Sequence, residues 1–184
     1  MRNTLKIMIF AALAFGLFAC GEKKLTQEDL KAAEKTLMNE DWTMNMDVAP
    51  QVAEKYCMFV KQNPNDPTSP TWLFHALEIN VALKNEEKSA ELCDQLIAQY
   101  PESKWSPKSL MLMGSYLYED QLNDTAKAHK AYQRLIDEFP NDSLVNDAKV
   151  LIDCLGLSNE EKWATIITSR LPQIDVDVEE EVIE

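Results

Sequence analysis

The stretch from His129 to Leu155, HKAYQRLIDEFPNDSLVNDAKVLIDCL, decides the reading of the chain, because its pattern occurs twice more upstream. Ended on their prolines, the three copies are AEKYCMFVKQNP closing at Pro64, AELCDQLIAQYP closing at Pro101 and HKAYQRLIDEFP closing at Pro140. The prolines lie 37 and 39 residues apart. In each copy apolar or aromatic residues precede the proline at helical spacing: Tyr56, Phe59 and Val60; Cys93, Leu96 and Ile97; Tyr132, Leu135 and Ile136. That is the i, i+3, i+4 stripe of an amphipathic helix. The proline stops the helix, and a polar pair follows it (Asn65-Asp66, Glu102-Ser103, Asn141-Asp142) that turns the chain into the next one. A period of this length implies stacked helix pairs, each unable to bury its apolar face alone.

Outside the repeats, the first residues read differently. Arg2 and Lys6 make a basic start, Ile7 to Phe18 is apolar, and Leu17-Phe18-Ala19-Cys20 closes the run. The run is too short to span a bilayer, which takes about 20 helical residues, so residues 1–19 read as a cleaved secretory signal. A small residue directly before a cysteine resembles the lipobox of bacterial lipoproteins. The resemblance implies that Cys20 is acylated and becomes the first residue of a membrane-tethered chain, with residues 20–25 as a lipidated linker. Acyl chains contribute about 0.8 kcal/mol per buried methylene, so two or three hold a small domain on a membrane.

The whole chain carries 31 Asp and Glu against 18 Lys and Arg, a net charge of −13, and loss of the signal segment removes two of those cations. Such a field disfavours phosphate backbones, and no nucleic-acid partner is expected. It also gives no attraction to anionic lipid heads, which leaves membrane attachment to the anchor.

The helical domain is expected over residues 26–170, with about eight helices packed as antiparallel neighbours. Thr26 with Asp29 reads as a capping box and Leu25 with Leu30 as a hydrophobic staple, so the first helix starts at Gln27 and runs to Met38. Asn39-Glu40-Asp41 breaks it. Trp42, Met44, Met46 and Val48 then lead to a helix capped by Asp47 with Pro50 in its first turn, and the Trp and Met residues are expected to seal the open end of the stack. Pro70 opens a helix that carries Trp72 to Leu83 and ends at Asn85; Glu86 to Tyr100 returns. Ser106-Pro107 opens the next, with Leu110, Met113 and Leu117 on it, and Asp124 or Thr125 opens its partner. Asp142 or Ser143 caps the helix that Gly156 ends in a left-handed cap. Ser158 with Glu161 is a second capping box, and Trp163, Ile166 and Ile167 give the closing helix an apolar face. The tail, residues 171–184, alternates Ile and Val with Asp and Glu, and its mutual repulsion reads as an acidic mobile segment. With four glycines and no other alternating run, a sheet has little place in this all-α reading.

The repeated A..Y...I..FP, the polar pair and the A..L helix after it resemble the tetratricopeptide repeat family over about residues 48 to 156. They are most similar to the longer-period repeats of envelope lipoproteins, such as the outer-membrane assembly lipoprotein of the β-barrel insertion machine and the Tol-Pal-associated repeat lipoproteins. The Asn39-Glu40-Asp41 phrase also resembles small repeat lipoproteins of the Bacteroidetes. The pattern departs from the family in two respects. The small residue early in the second helix is Ala53, Ala90 and then Ala128 one place off register, and the family glycine is evident only at Gly114. The resemblance implies a tetratricopeptide-like α-solenoid. It does not assign a barrel-assembly role, since one fold hosts many functions.

Catalysis finds little support. His75 and His129 sit in different repeats, and HExxH, GxSxG, CxxC and phosphate-cradling loops are absent from the sequence. His75 lies one turn from Glu78, a spacing that suits a metal pair but is more often a surface or groove pair. No catalytic residue, metal or cofactor is expected. With Cys20 acylated, Cys57, Cys93 and Cys154 are an odd set, read as small packed hydrophobes, with a Cys57 to Cys93 bridge left open.

Two functions fit. One is an anchored protein–protein interaction scaffold of the cell envelope, on the outer membrane at its periplasmic side or surface, whose groove takes a protein or peptide partner. The alternative is a receptor for a small ligand such as a glycan or peptidoglycan fragment, with Trp72 and Trp105 as stacking platforms; exposed tryptophans clustered beside carboxamides would favour it. If the first helix of each pair lines a groove as in the resembled family, the groove-facing side chains are Thr71, His75 and Glu78; Trp105, Lys108, Leu112 and Ser115; and Leu144, Asp147 and Leu151. Leu112 and Leu151 are equally able to pack against a neighbouring helix.

Overall fold

The computed structural model describes residues 24–170; the signal segment, Cys20 and the acidic tail lie outside the described residues. The contacts divide the chain into two compact units, one ending at Ser69 and the other starting at Pro70. The all-α expectation holds: the described residues are helices and turns, with one isolated antiparallel bridge between Met38 and Met44.

The first unit holds α1 (Gln27–Leu37) and α2 (Ala49–Gln62). The Thr26 hydroxyl accepts from the Asp29 N–H and the Asp29 carboxylate accepts from the Thr26 N–H at 2.9 Å, so the capping box forms as the sequence indicates. Leu30 is fully buried and Leu25 half-buried, as a staple requires. Val52, Ala53, Tyr56, Phe59 and Val60 form the buried stripe of α2. Two expectations fail here. Val48, not Asp47, precedes α2, and no side chain caps it, because Pro50 in the first turn already removes one N–H in need of a partner. The Met and Trp residues do not seal an end: Trp42 is 83% exposed at φ 66°, and Met46 is exposed with it. The polar groups of that loop bond among themselves instead, with the Asp41 carboxylate accepting from the Thr43 N–H and hydroxyl, and this turns the indole outward.

The second unit holds α3 (Ser69–Ala82), whose first residue closes the first unit, then α4 (Glu86–Gln99) and α5 (Trp105–Leu112). α5 runs on as a π-helical segment, Met113–Gln121, before α6 (Thr125–Glu138), α7 (Leu144–Asp153) and α8 (Asn159–Arg170). α3 is apolar nearly all round and buries Leu73, Phe74, Ala76, Leu77, Ile79 and Val81.

The three proline turns repeat atom by atom. Asn63, Tyr100 and Phe139 share one backbone conformation, with φ of −136°, −134° and −128° and ψ of 57°, 54° and 54°. Each closes its helix by donating to the carbonyl four residues back, Phe59, Leu96 and Leu135. Two residues after each proline a side-chain oxygen accepts from the N–H two residues further on: Asp66 from Thr68 at 2.8 Å, Ser103 from Trp105 at 3.3 Å and Asp142 from Leu144 at 2.9 Å. This is what the polar pair supplies. The hydroxyls of Ser69 and Ser106 then donate back to the carbonyls of Asn63 and Tyr100, at 2.6 and 2.7 Å; Val145 stands at the third equivalent place and cannot.

The tight turns between paired helices also repeat. Lys84 and Asn123 take the left-handed conformation at φ 56° and 51°, and Asn85 and Asp124 then accept from the N–H three residues on, at Lys88 and Lys127. Asn85 therefore opens α4, and α3 ends earlier, at Ala82. The π-helical segment is the largest departure from the sequence reading. The third copy is two residues longer between its prolines than the second, and the wider turn of Met113–Gln121 takes them up. Gly114 is required within it: a Cβ there would lie 2.5 Å from Cε1 of Tyr132. Gly156 ends the last hairpin at φ 80°, as expected for a left-handed cap.

The closing helix differs from its expectation. Ser158 and Glu161 form the capping box, yet α8 has no buried residue, and Trp163 and Ile167 are 65% and 54% exposed. Lys162 to Glu119 and Arg170 to Asp147 are its long-range ion pairs. No further pair follows among the described residues to cover it. Among these residues no helix is long and apolar enough to cross a membrane.

Candidate functional site

Five of the predicted groove residues come together between α3 and the first turn of α5: Thr71, His75, Glu78, Trp105 and Lys108. The Trp105 indole N–H donates to the Thr71 hydroxyl at 3.0 Å, which ties the two helices together. The indole also stacks on Phe74, with ring centroids 4.5 Å apart and planes 25° from parallel. His75 approaches at 6.2 Å, and its Nδ1 lies 2.7 Å from a Glu78 carboxylate oxygen. Lys104 and Lys108 hold their ammonium groups 4.9 and 5.1 Å from the Trp105 ring centre, within cation–π range. Among the described residues neither lysine has a carboxylate within ion-pair distance, whereas Lys88, Lys127, Arg134, Lys162 and Arg170 all do.

The other predicted residues behave differently. Leu112 is half-buried at the end of α5, and the Ser115 hydroxyl turns back to the Met111 carbonyl at 2.8 Å. Leu144, Asp147 and Leu151 line a cleft of about 170 Å³ with Met111 of α5 and with Ile166 and Arg170 of α8. The Arg170 guanidinium pairs with Asp147 at 3.2 Å. One end of the expected groove is thus aromatic and flanked by two lysines, and the other is partly covered by the closing helix.

Sequence reasoning missed Phe74, Lys104 and Met111. Phe74 and Met111 lie one turn from Thr71 and Lys108 on the same helix faces, so helical spacing offered a signal for both. Lys104 precedes α5 in a turn, where no periodicity applies.

A second concavity, of about 140 Å³, is lined by Cys93, Leu110, Met113, Tyr118 and the stems of Lys127 and Arg134. Its cations are already held: Arg134 by Asp94 and Glu138, Lys127 by Glu86 and Asp124. At its floor the Cys93 thiol lies 3.2 Å from the Ser109 hydroxyl, and burial pushes it up to about 11, which makes it a packing group rather than a nucleophile. No disulfide joins Cys57 to Cys93, so the bridge left open by the sequence is not formed. Among the described residues, no three of His, Cys, Asp and Glu are grouped to hold a metal.

The tetratricopeptide repeat family matches residues 108–142, which run from the first turns of α5 through the π-helical segment and α6 to the third proline turn. No curated protein is similar enough to this chain to match it. Repeats of this type are as a rule interaction scaffolds, which bind protein partners through surfaces built by neighbouring helix pairs. The matched stretch begins at Lys108, one turn after Trp105 on α5. It makes this a chain that contains a tetratricopeptide repeat, within a tetratricopeptide-like fold of helix pairs.

Proposed function

We propose that the protein is a lipid-anchored scaffold of the bacterial cell envelope, held on a membrane through Cys20, and that it binds a protein or peptide partner along the face of α3 and α5. The observation that carries the binding half is the Trp105 platform. Its ring is fixed by Phe74 and Thr71, and it is flanked by Lys104 and Lys108, which have no carboxylate partner among the described residues. A rigid aromatic anchor beside unpaired cations suits an extended peptide. The small-ligand reading fits less well: Trp72 is 7% exposed and Trp105 has one ring face against Phe74, so the two tryptophans do not present paired platforms. The anchor half rests on the basic-then-apolar start ending in Leu17-Phe18-Ala19-Cys20.

A crosslinked pull-down from envelope membranes tests the first half. Trp105→Ala with Lys108→Glu is expected to lose the partner while the helical signal and thermal midpoint stay close to wild type; undiminished recovery would move binding off this face. Metabolic labelling with a fatty-acid analogue tests the second. Label on the wild type and none on Cys20→Ser is expected, and an unlabelled wild type would remove the anchor.

A further inference from the structure

We infer that α8 is a self-association helix, whose outer stripe pairs antiparallel with the same helix of a second copy of this chain. The stripe is Glu160, Trp163, Ile167 and Arg170, spaced by three, four and three residues, which is the seam period of two supercoiled helices. All four are exposed, and the two apolar ones are large. The other side of the helix holds its ties to the fold, with Lys162 on Glu119 and Ile166 in the cleft beside Leu151. Ala164 keeps the flank of the seam small. The hydroxyls of Thr165, Thr168 and Ser169 all donate back to carbonyls of their own helix, those of Glu161, Ala164 and Ile166, so a helix laid along this face strands no hydroxyl donor.

The order of charges along the stripe identifies the occupant. In an antiparallel pair about a two-fold axis midway between Glu160 and Arg170, Trp163 lies against Ile167 of the second copy and Glu160 against its Arg170, and each contact occurs twice. The apolar groups meet in the middle and the charges stay at the two ends, the arrangement of a core with a polar rim. A parallel pair would set Glu160 on Glu160 and Arg170 on Arg170, and an acidic or basic partner would match one end and be repelled at the other. Both charges are available. Glu160 has no ion pair among the described residues, and Arg170 is 70% exposed with a single bond, to Asp147, which leaves other donors of its fork unused. The seam is short: a helix of 12 residues is about 18 Å long, which belongs with the small, exchanging interfaces below about 1,200 Å². The net charge of −13 on each copy opposes it at long range. The pair therefore forms at high local concentration and separates on dilution, where α8 stands on its own contacts. It does not rest on the Trp105 face, but it joins two copies of that face in one assembly, as avidity requires.

Sedimentation velocity on the purified full chain over a concentration series tests it, with no binding partner present, so the result is separate from that of the Trp105 face. A dimer that grows with concentration is expected. Glu160→Arg and Arg170→Glu should each lose it, because each variant sets like charges together at both ends of the seam. Mixed in equal amounts, the two variants should associate with each other as the wild type does, since every end then joins Arg to Glu. Trp163→Ala should lose association while the far-ultraviolet helical signal is retained. Association that survives all three substitutions would place the contact elsewhere and overturn the inference, as would charge variants that stay monomeric when mixed. A wild type that is monomeric at its highest soluble concentration would also overturn it, and shielding of Trp163 from iodide in that monomer would give the stripe to another occupant.

Discussion

α6 and α8 are both second helices of a pair, both opened by an oxygen cap, yet one is held by its core and the other by its charges. α6 buries Ala128, Ala131, Tyr132 and Leu135, while α8 buries nothing and leaves Trp163 and Ile167 in solvent. The difference lies in what comes next. α7 packs along α6, whereas α8 has no further described helix against its outer face. A repeat sequence specifies an apolar stripe at every copy, but burial needs the following copy, so the same stripe is core in one place and surface in the next.

Truncation of one stripe residue in each helix sharpens that contrast most. Leu135→Ala should cost about 2–5 kcal/mol, the range for deleting a fully buried leucine. Ile167→Ala should stay within about 0.5 kcal/mol, as surface changes do. Chemical denaturation of both variants decides it. A large loss at Ile167 would mean that α8 is covered by something outside the described residues, and the contrast would fail.

Gly114→Ala probes how tightly α6 is seated. The new Cβ would meet the Tyr132 ring, whose hydroxyl is bonded to Glu119 at 3.0 Å and so cannot swing freely. Overpacking of this kind costs about 1–3 kcal/mol. Tyr132→Leu in the same chain should recover part of the loss, and denaturation midpoints of the single and double variants check it. Additive losses would show that the ring is not what excludes the side chain.

Much of the fold was legible because it is periodic. The proline turns, both capping boxes and the left-handed Gly156 are local, and Asp66, Ser103 and Asp142 act through bonds that reach only two residues. What the sequence hid was relational. The π-helical segment answers a length mismatch between copies, the exposure of Trp163 goes with the lack of a further helix among the described residues, and the loop of Trp42 closes on bonds between Asp41 and Thr43. In the candidate site, Thr71, His75, Trp105 and Lys108 were placed by face, while Lys104 entered through a turn and Leu144 and Leu151 were claimed by the cleft under α8.

Acid should separate the two helices by the same logic, with a smaller effect. The Ser158 hydroxyl and backbone N–H both donate to Glu161 and hold its carboxyl below the ordinary glutamate range; the Lys127 N–H does the same for Asp124 at the start of α6. A carboxyl depressed in the folded state contributes stability above its unfolded value and loses it as pH falls through the folded one. Both caps therefore loosen on the acid side. α6 retains Tyr132 and Leu135 in the core when its cap is lost, but α8 buries no side chain that could hold it. Helical chemical shifts should fade first over residues 159–170, with residues 125–138 intact at that pH. Glu161→Gln should weaken α8 at neutral pH and remove the cap's share of its acid sensitivity. Simultaneous loss of both helices in wild type would mean that α8 is packed as firmly as α6.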